Sequence, residues 1–440
     1  MECTPIQWLE ENAAWIYSFA ERLRNSPETG FCEHKTAELI ASELSLPGIE
    51  VKQNLALTGI RAVAGRIGAP SIALVADIDA LPTAGASGGV AHSCGHYAQA
   101  AIMLAVFKSL VETGFVDRNH VRVVFLATPA EEYVELDKRR ELKKEGKITY
   151  LSGKQEMIRL GVFDDIDCVI KYHSMSETSD MPHRTATING VLNGFNAKTA
   201  IFTGKASHAG AAPDQGINAL NAAMLAIQAI HMQRETFRDN DHVRVHPIIR
   251  EGGTVVNSVP SRVVAEMYVR GASHGVISEA EGKVDRALVA GALAVGASVR
   301  IVNTPGYQAF RPNKGMGEIL GTAAREFVPE EQLDFHDESF ASDDIGDVAC
   351  LVPTCQLGYG GFSGTIHTAD FLPLDPERAY LEPARIVART AELLGSGDAK
   401  VVAAIKSSFV PQLSKTEYLA MLNASLLERS YEGGIEKLQH

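Results

Sequence analysis

Residues 91–97 read Ala-His-Ser-Cys-Gly-His-Tyr, and what stands on either side of them decides the fold. Before them runs Ser71 to Asp77, Ser-Ile-Ala-Leu-Val-Ala-Asp, an apolar run of strand length; after them comes the apolar segment Ala98 to Leu110, of helical length. A turn so placed is a βα connection, and loops at the C-terminal ends of strands are where open α/β sheets hold ligands. Cys94 and His96, two residues apart on such a turn, can point into one cleft and offer a thiolate and an imidazole to one divalent cation. Alone the pair is weak evidence, because a buried cysteine beside a capping or core histidine is commoner.

Other strand ends answer it. The run Val121 to Leu126 leads into Ala127-Thr128-Pro129-Ala130-Glu131-Glu132; Cys168 to Tyr172 ends in His173; and Gly364-Thr365-Ile366 precedes His367. Of two adjacent carboxylates, one can bind a metal while its neighbour takes a proton from the water that the metal activates. Four strand ends thus deliver Cys94, His96, Glu132, His173 and His367, with Glu131 beside them.

Outward from this centre, apolar spacing from Ile6 to Leu46 is largely helical, and strand-like runs recur at 60–67, 71–77, 121–126 and 168–172 with helical segments between. That alternation predicts an α/β domain with a mostly parallel sheet covered on both faces. From Gly190 the pattern changes to strand 197–203, helix 217–232, strands 243–250 and 262–269, helix 279–295 and strand 299–303. The β-α-β-β-α-β order predicts an inserted ferredoxin-like domain over 191–304, within a discontinuous catalytic domain made of 1–190 and 305–440.

The ordered text Ala76-Asp77-Ile78-Asp79-Ala80-Leu81-Pro82, His92-Ser93-Cys94-Gly95-His96, Pro129-Ala130-Glu131-Glu132, Gly204-Lys205-Ala206-Ser207-His208-Ala209, Gly252–Pro260, Ser342–Val348 and His367 resembles the M20 family of metallopeptidases and amidohydrolases. The likeness is to its subfamily D, which includes amino-acid-conjugate and aminobenzoyl-glutamate hydrolases, and it covers nearly the whole chain. The resemblance implies a zinc-peptidase-like catalytic domain and a lid that also dimerises. It implies Cys94, His96, Glu132, His173 and His367 as ligands of one or two manganese or zinc ions, and Glu131 as general acid/base. Asp77 or Asp79 would orient the site from behind. His208 would reach the partner subunit's site to polarise the oxygen where charge develops, with Asn257 and Arg270 contacting substrate. Two positions depart from the usual Cys-Gly-His-Asp-x-His: Tyr97 and Gln99 are neutral, which weakens the electrostatics of a second metal, and an aromatic Tyr97 beside the metal would stack on a flat substrate ring.

The expected activity is metal-dependent hydrolysis of a C–N bond in a small conjugate. The alternatives are an aromatic aminohydrolase, like the M20-like enzyme that releases ammonia from 5-nitroanthranilic acid, and an inactive metal-binding homologue. A charged insertion at 133–160, longer than subfamily relatives usually have, either shapes the substrate pocket or forms a surface hairpin.

A chain of 440 residues accommodates two domains, and its 45% hydrophobic and 22% charged residues are ordinary for a globular protein. The formal charge of −13 argues against nucleic acid or an anionic membrane as partner. Lys138-Arg139-Arg140 and Lys143-Lys144 alternate with acids and read as a solvated helix face. Six cysteines without framework spacing, and no signal-peptide pattern, predict a cytoplasmic protein with reduced thiols.

Overall fold

The strand Ser71–Asp77 is buried along its whole length, as a continuous apolar run at the centre of a parallel sheet should be. In the computed structural model, which describes residues 3–83, 89–180, 184–433 and 435–437, it lies between Arg122–Thr128 and Cys168–Ser176, parallel to both. Thr354–Ser363 extends the parallel set, with Gly358 opposite His173. On the flanks Glu50–Leu55 and Gly59–Ala64 form a hairpin antiparallel to Arg122–Thr128, while Ala186–Ile188 and Leu372–Pro373 pair antiparallel with Thr354–Ser363. The α/β class stands, with four adjacent parallel strands at the centre of a mixed sheet and the short Leu333–Asp334 parallel to Ala186–Ile188 at one edge. His173, expected just after its strand, lies inside it, because pairing with Thr354–Ser363 continues to Ser176.

The helix His96–Glu112 has 14 of its 17 residues buried, so it is a core helix whose first turn is the site itself. It packs on Ser71–Asp77 and against Ala13–Arg24 and Glu382–Gly395. The unit so formed comprises Met1–Val191, Arg311–Glu338 and Asp347–Gln412.

The second unit comprises Leu192–Phe310, Ser339–Gly346 and Leu413–His440. Its sheet runs Arg244–Glu251, Arg262–Gly271, Gly194–Thr203, Ser298–Pro305, each strand antiparallel to its neighbour, which is the ferredoxin-like order. The helix Ala219–Met232 buries Ala219, Ala222, Ala223, Ala226 and Ile230, a single face at helical spacing, beside the helix His274–Ala294. Two boundaries differ from expectation. The inserted body runs on to Phe310, and the chain end does not belong wholly to the first domain: Glu428–Glu432 adds to the free edge of Ser298–Pro305, Val299 opposite Tyr431, and Ile435–Lys437 pairs with it in turn. Edge pairing satisfies backbone groups that would otherwise stay open, and it draws the last segment into the second unit. No helix among the described residues is long and apolar enough to cross a membrane.

Candidate metal centre

Gly95 decides where Cys94 and His96 go. It precedes the helix His96–Glu112 at φ +80°, and a Cβ there would come within 2.7 Å of Ser174. Only a residue that tolerates a left-handed backbone and has no side chain lets the turn lie against the strand Cys168–Ser176. The approach puts Cys94 Sγ 3.7 Å from His173 Nε2. His173 donates from Nδ1 to the Ser174 carbonyl at 2.8 Å, which leaves Nε2 for the cluster.

His96 is oriented in the same way. Its Nδ1 lies 3.0 Å from both Asp79 Oδ1 and the Asp79 carbonyl, two acceptors, so Nδ1 carries the proton; Nε2 is buried and makes no hydrogen bond. An imidazole whose far nitrogen donates to a carboxylate is the arrangement that points a lone pair at a metal. Asp79 Oδ2 accepts from the Glu132 N–H at 2.9 Å, so one carboxylate sets both neighbours. Glu132 Oε1 lies 3.3 Å from His367 Nε2, and Glu131 Oε2 lies 3.8 Å from His96 Nε2. His367 sits on the loop after Thr354–Ser363 at φ +70°, tied by its N–H to the Ser93 carbonyl at 2.8 Å. Its side chain is 54% exposed, which makes it the outer rim of the cluster.

The donor atoms fall in three overlapping triples, Cys94–His96–His173, Cys94–Glu132–His367 and His96–Glu131–Glu132, each within 4.8 Å. Burial, then Glu132 and Glu131, push the Cys94 thiol well above its ordinary range. Burial alone would push His96 down, but the hydrogen bond and charge of Asp79, with Asp77 and Glu132 behind, hold it up at about 9. Crowded acceptors, an orphaned Nε2 and a thiol surrounded by carboxylates are conditions that a divalent cation relieves. Sulfur, imidazole and carboxylate together fit zinc or manganese.

The turn bearing the two glutamates is strained. Ala130 has φ +53°, a left-handed conformation that costs a non-glycine residue roughly 1–2 kcal/mol. Glu33, fully buried, accepts the Ala130 N–H at 2.8 Å, and the Ala130 carbonyl accepts from Gly153 N–H and Arg139 at 3.3 Å each. At about 1 kcal/mol net per hydrogen bond, these three outweigh the strain.

Asp77, the other candidate for orienting the site, gives its oxygens to different partners. Lys154 and Lys171 pair with it, the latter at 2.7 Å, and Thr128 Oγ1 donates at 2.6 Å; all three charged groups are fully buried. Burial would raise the Asp77 carboxyl, yet the two ammonium groups hold it well below the carboxylate range. Tyr97 is not where a substrate ring would meet it. Only 1% exposed, it packs 5.5 Å from the His92 ring and 6.2 Å from the Tyr380 ring, its hydroxyl 3.3 Å from that of Tyr380, because helical spacing turns it into the core. Gln99 is likewise buried and accepts the Asp77 N–H at 3.2 Å.

His208 and Asn257 lie together in the second unit. His208 Nδ1 accepts the N–H groups of Gly210 and Ala211 at 3.2 and 2.9 Å, which leaves Nε2 to carry a proton; Nε2 lies 3.3 Å from the Asn257 side-chain amide and donates to it when the amide presents its oxygen. Arg270 does not join them. It lies at the other end of Arg262–Gly271, eight residues or about 26 Å along the strand from Arg262, over the rings of Phe195 and Tyr268 and bonded to Ser342 Oγ at 2.6 Å.

Glu33, Arg139, Lys154 and Lys171 escaped the sequence reading. Arg139 corrects it outright: the supposed solvated face buries this side chain to 1% exposure. The signal was its position three residues after Leu136, on that residue's side of the helix Leu136–Lys144.

A family model described as Peptidase family M20/M25/M40 matches residues 73–392. The mouse Xaa-Arg dipeptidase is 28% identical over 339 residues, 73% of this chain and 69% of its own length; an Arabidopsis thaliana IAA-amino acid hydrolase ILR1-like 2 is 28% identical over 262 residues, 57% and 54%. Among solved structures, a putative aminohydrolase from methicillin-resistant Staphylococcus aureus superposes with TM-score 0.71 at 22% identity, covering 88% of this chain and 98% of its own. The Bacillus subtilis YXEP protein, titled a dinuclear metal binding peptidase from the M20 family, does so with TM-score 0.64 at 20% identity, covering 88% and 99%. The strand-end cluster of sulfur, imidazole and carboxylate and a family match across most of the chain agree: the chain belongs to peptidase family M20/M25/M40 and is a hydrolase acting on C–N bonds.

Proposed function

We propose that the enzyme cleaves the amide bond of a small N-acyl conjugate, with Glu131 as general acid/base and Cys94, His96, Glu132, His173 and His367 as ligands of one or two manganese or zinc ions. The observation that supports this most is the adjacency of the two glutamates: Asp79 fixes Glu132 through its N–H while Glu131 stays beside the His96 imidazole. A divalent ion at this position supplies Lewis acidity toward the carbonyl and toward water. Glu131 accepts the proton of the attacking water and returns it to the leaving nitrogen. His208 serves as a donor to the developing oxyanion from Nε2, since its Nδ1 is already occupied by backbone N–H groups. Asn257 holds that ring, and Arg270 contacts a polar substrate group separately. In this reading the second unit is a lid through which two subunits pair, each presenting His208 to its partner, in the cytoplasm. Buried in the core, Tyr97 is not the surface on which the ring of the alternative substrate, an aromatic amine, would stack.

The test is a turnover screen of the manganese- and zinc-loaded protein on N-acyl amino acids, aminobenzoyl-glutamate and substituted anthranilates, scoring released amine and ammonia. Amine release from a conjugate is expected. Ammonia from an anthranilate, with every conjugate left intact, would overturn the proposal.

A further inference from the structure

Residues 133–160 leave the site just after Glu132 and return to it twice. The first return is Arg139, on the helix Leu136–Lys144. Its guanidinium is buried, donates to the carbonyls of Ala130 at 3.3 Å and Leu151 at 2.7 Å, and donates to the carbonyl of Glu132. It therefore grips the backbone on both sides of Glu131. It also lies 5.5 Å from the ring of Phe31 and 5.9 Å from that of Tyr133. Among the described residues Arg139 makes no ion pair, so its charge is set not against one partner but among the buried carboxylates of Glu33, Asp79, Glu131 and Glu132; its field helps to hold Asp79 ionised.

The second return is the helix Gly153–Arg159, most of which is buried. Gly153 starts it against Pro129, where a Cβ would lie 1.7 Å from the Pro129 carbonyl oxygen. The next residue, Lys154, pairs with Asp77, two residues from the carboxylate that orients His96. One insertion thus places two buried cations, one on the glutamate turn and one at the end of the strand Ser71–Asp77.

We propose that the insertion is a cationic brace for the reaction: Arg139 and Lys154 are positioning residues that fix the backbone of Glu131 and Glu132 and offset the charge of the carboxylate cluster, so that it binds a divalent ion in one geometry. This rests on the metal-hydrolase reading above. A neutral surface hairpin would need neither charge, and the carbonyls gripped, those of Ala130 and Glu132, bracket Glu131.

The experiment compares the full-length protein with Arg139→Gln, Arg139→Lys, Lys154→Met and, as a surface control, Lys144→Gln. Manganese and zinc dissociation constants are titrated on the metal-free proteins, and kcat and KM are then measured at saturating metal. Orienting partners one step behind a ligand are worth about 10–100-fold, so Arg139→Gln should weaken metal binding about tenfold and lower kcat about 10–100-fold, with KM changed less than about threefold. Arg139→Lys, which keeps the charge but lacks the fork, should recover the metal affinity before the kcat. Added guanidinium should restore part of the kcat of an Arg139→Ala protein. Lys154→Met should shift metal affinity in the same direction, and Lys144→Gln neither quantity. Variants that lose only melting temperature, with metal affinity and kcat per loaded subunit intact, overturn the brace while leaving the hydrolase reading standing. A wild-type protein that binds neither metal overturns both.

Discussion

The two places where functional side chains gather are built on opposite principles. In the first unit Cys94, His96, Glu131 and Glu132 are all buried, and each is held by a neighbour that is itself held: Asp79 for His96 and Glu132, Glu33 for the Ala130 turn, Arg139 for the carbonyls around Glu131. In the second unit His208 is exposed, steadied by two backbone N–H groups and one amide. Burial with multiple restraints preorganises a group for binding a cation, because a low-dielectric surround magnifies each charge. An exposed imidazole held by backbone donors has its orientation chosen but keeps its water, and becomes a strong donor only once something covers it.

The sharpest way to break this contrast is Glu131→Gln, which keeps shape and hydrogen bonding but cannot take a proton. It should lower kcat on the order of 10²-fold or more while leaving bound metal unchanged; near-normal turnover would place the base elsewhere. His208→Ala tests the exposed side and should also cost about 10²-fold in kcat. Mixing it with Glu131→Gln subunits under exchange conditions should return about a quarter of wild-type activity, since random pairing gives half mixed dimers with one intact site each. No return, with exchange confirmed, means that His208 serves its own subunit or none. Replacing the ligands sharpens the picture within the first unit. Cys94→Ala, His173→Ala and His367→Ala should each lower metal content on dialysis, with His367 the mildest because it is the exposed rim; unchanged content in all three would remove the assignment.

A smaller effect concerns Glu33. Burial first, and then the charge of Asp79, push its carboxyl up to about 7, so at intermediate pH the folded protein binds a proton that the unfolded chain has already released. Its contribution to stability accordingly declines as pH rises from about 4.5 through about 7. Melting curves of metal-free protein between those limits should show a downward slope that Glu33→Gln flattens, and parallel slopes would mean that Glu33 stays ionised.

What could be read from the sequence was whatever repeats locally. Ser71–Asp77 matches its expected bounds residue for residue, because five apolar residues in a row, Ile72 to Ala76, within seven buried positions leave little else to form. The αβ pattern of the second unit was equally legible, with one helix starting two residues later than expected and the other five residues earlier. What stayed hidden depends on partners far along the chain. Glu428–Glu432 is Glu-Arg-Ser-Tyr-Glu, without strand periodicity, and is a strand only because Ser298–Pro305 offers an edge. Glu33 is a single acid whose burial is decided by Ala130, 97 residues away. Arg139 stood in a run of charge that usually means solvent, and only its side of the helix told otherwise.

The carboxylates around Cys94 also bear on oxidation. A thiol reacts with peroxide or with a disulfide through its thiolate, and burial together with Glu132 and Glu131 keeps Cys94 protonated well past neutral pH. In the metal-free enzyme, then, the same acids that await a cation hold the sulfur in its inert form, so that a subunit stripped of metal in an oxidising medium keeps a sulfur still able to bind it again.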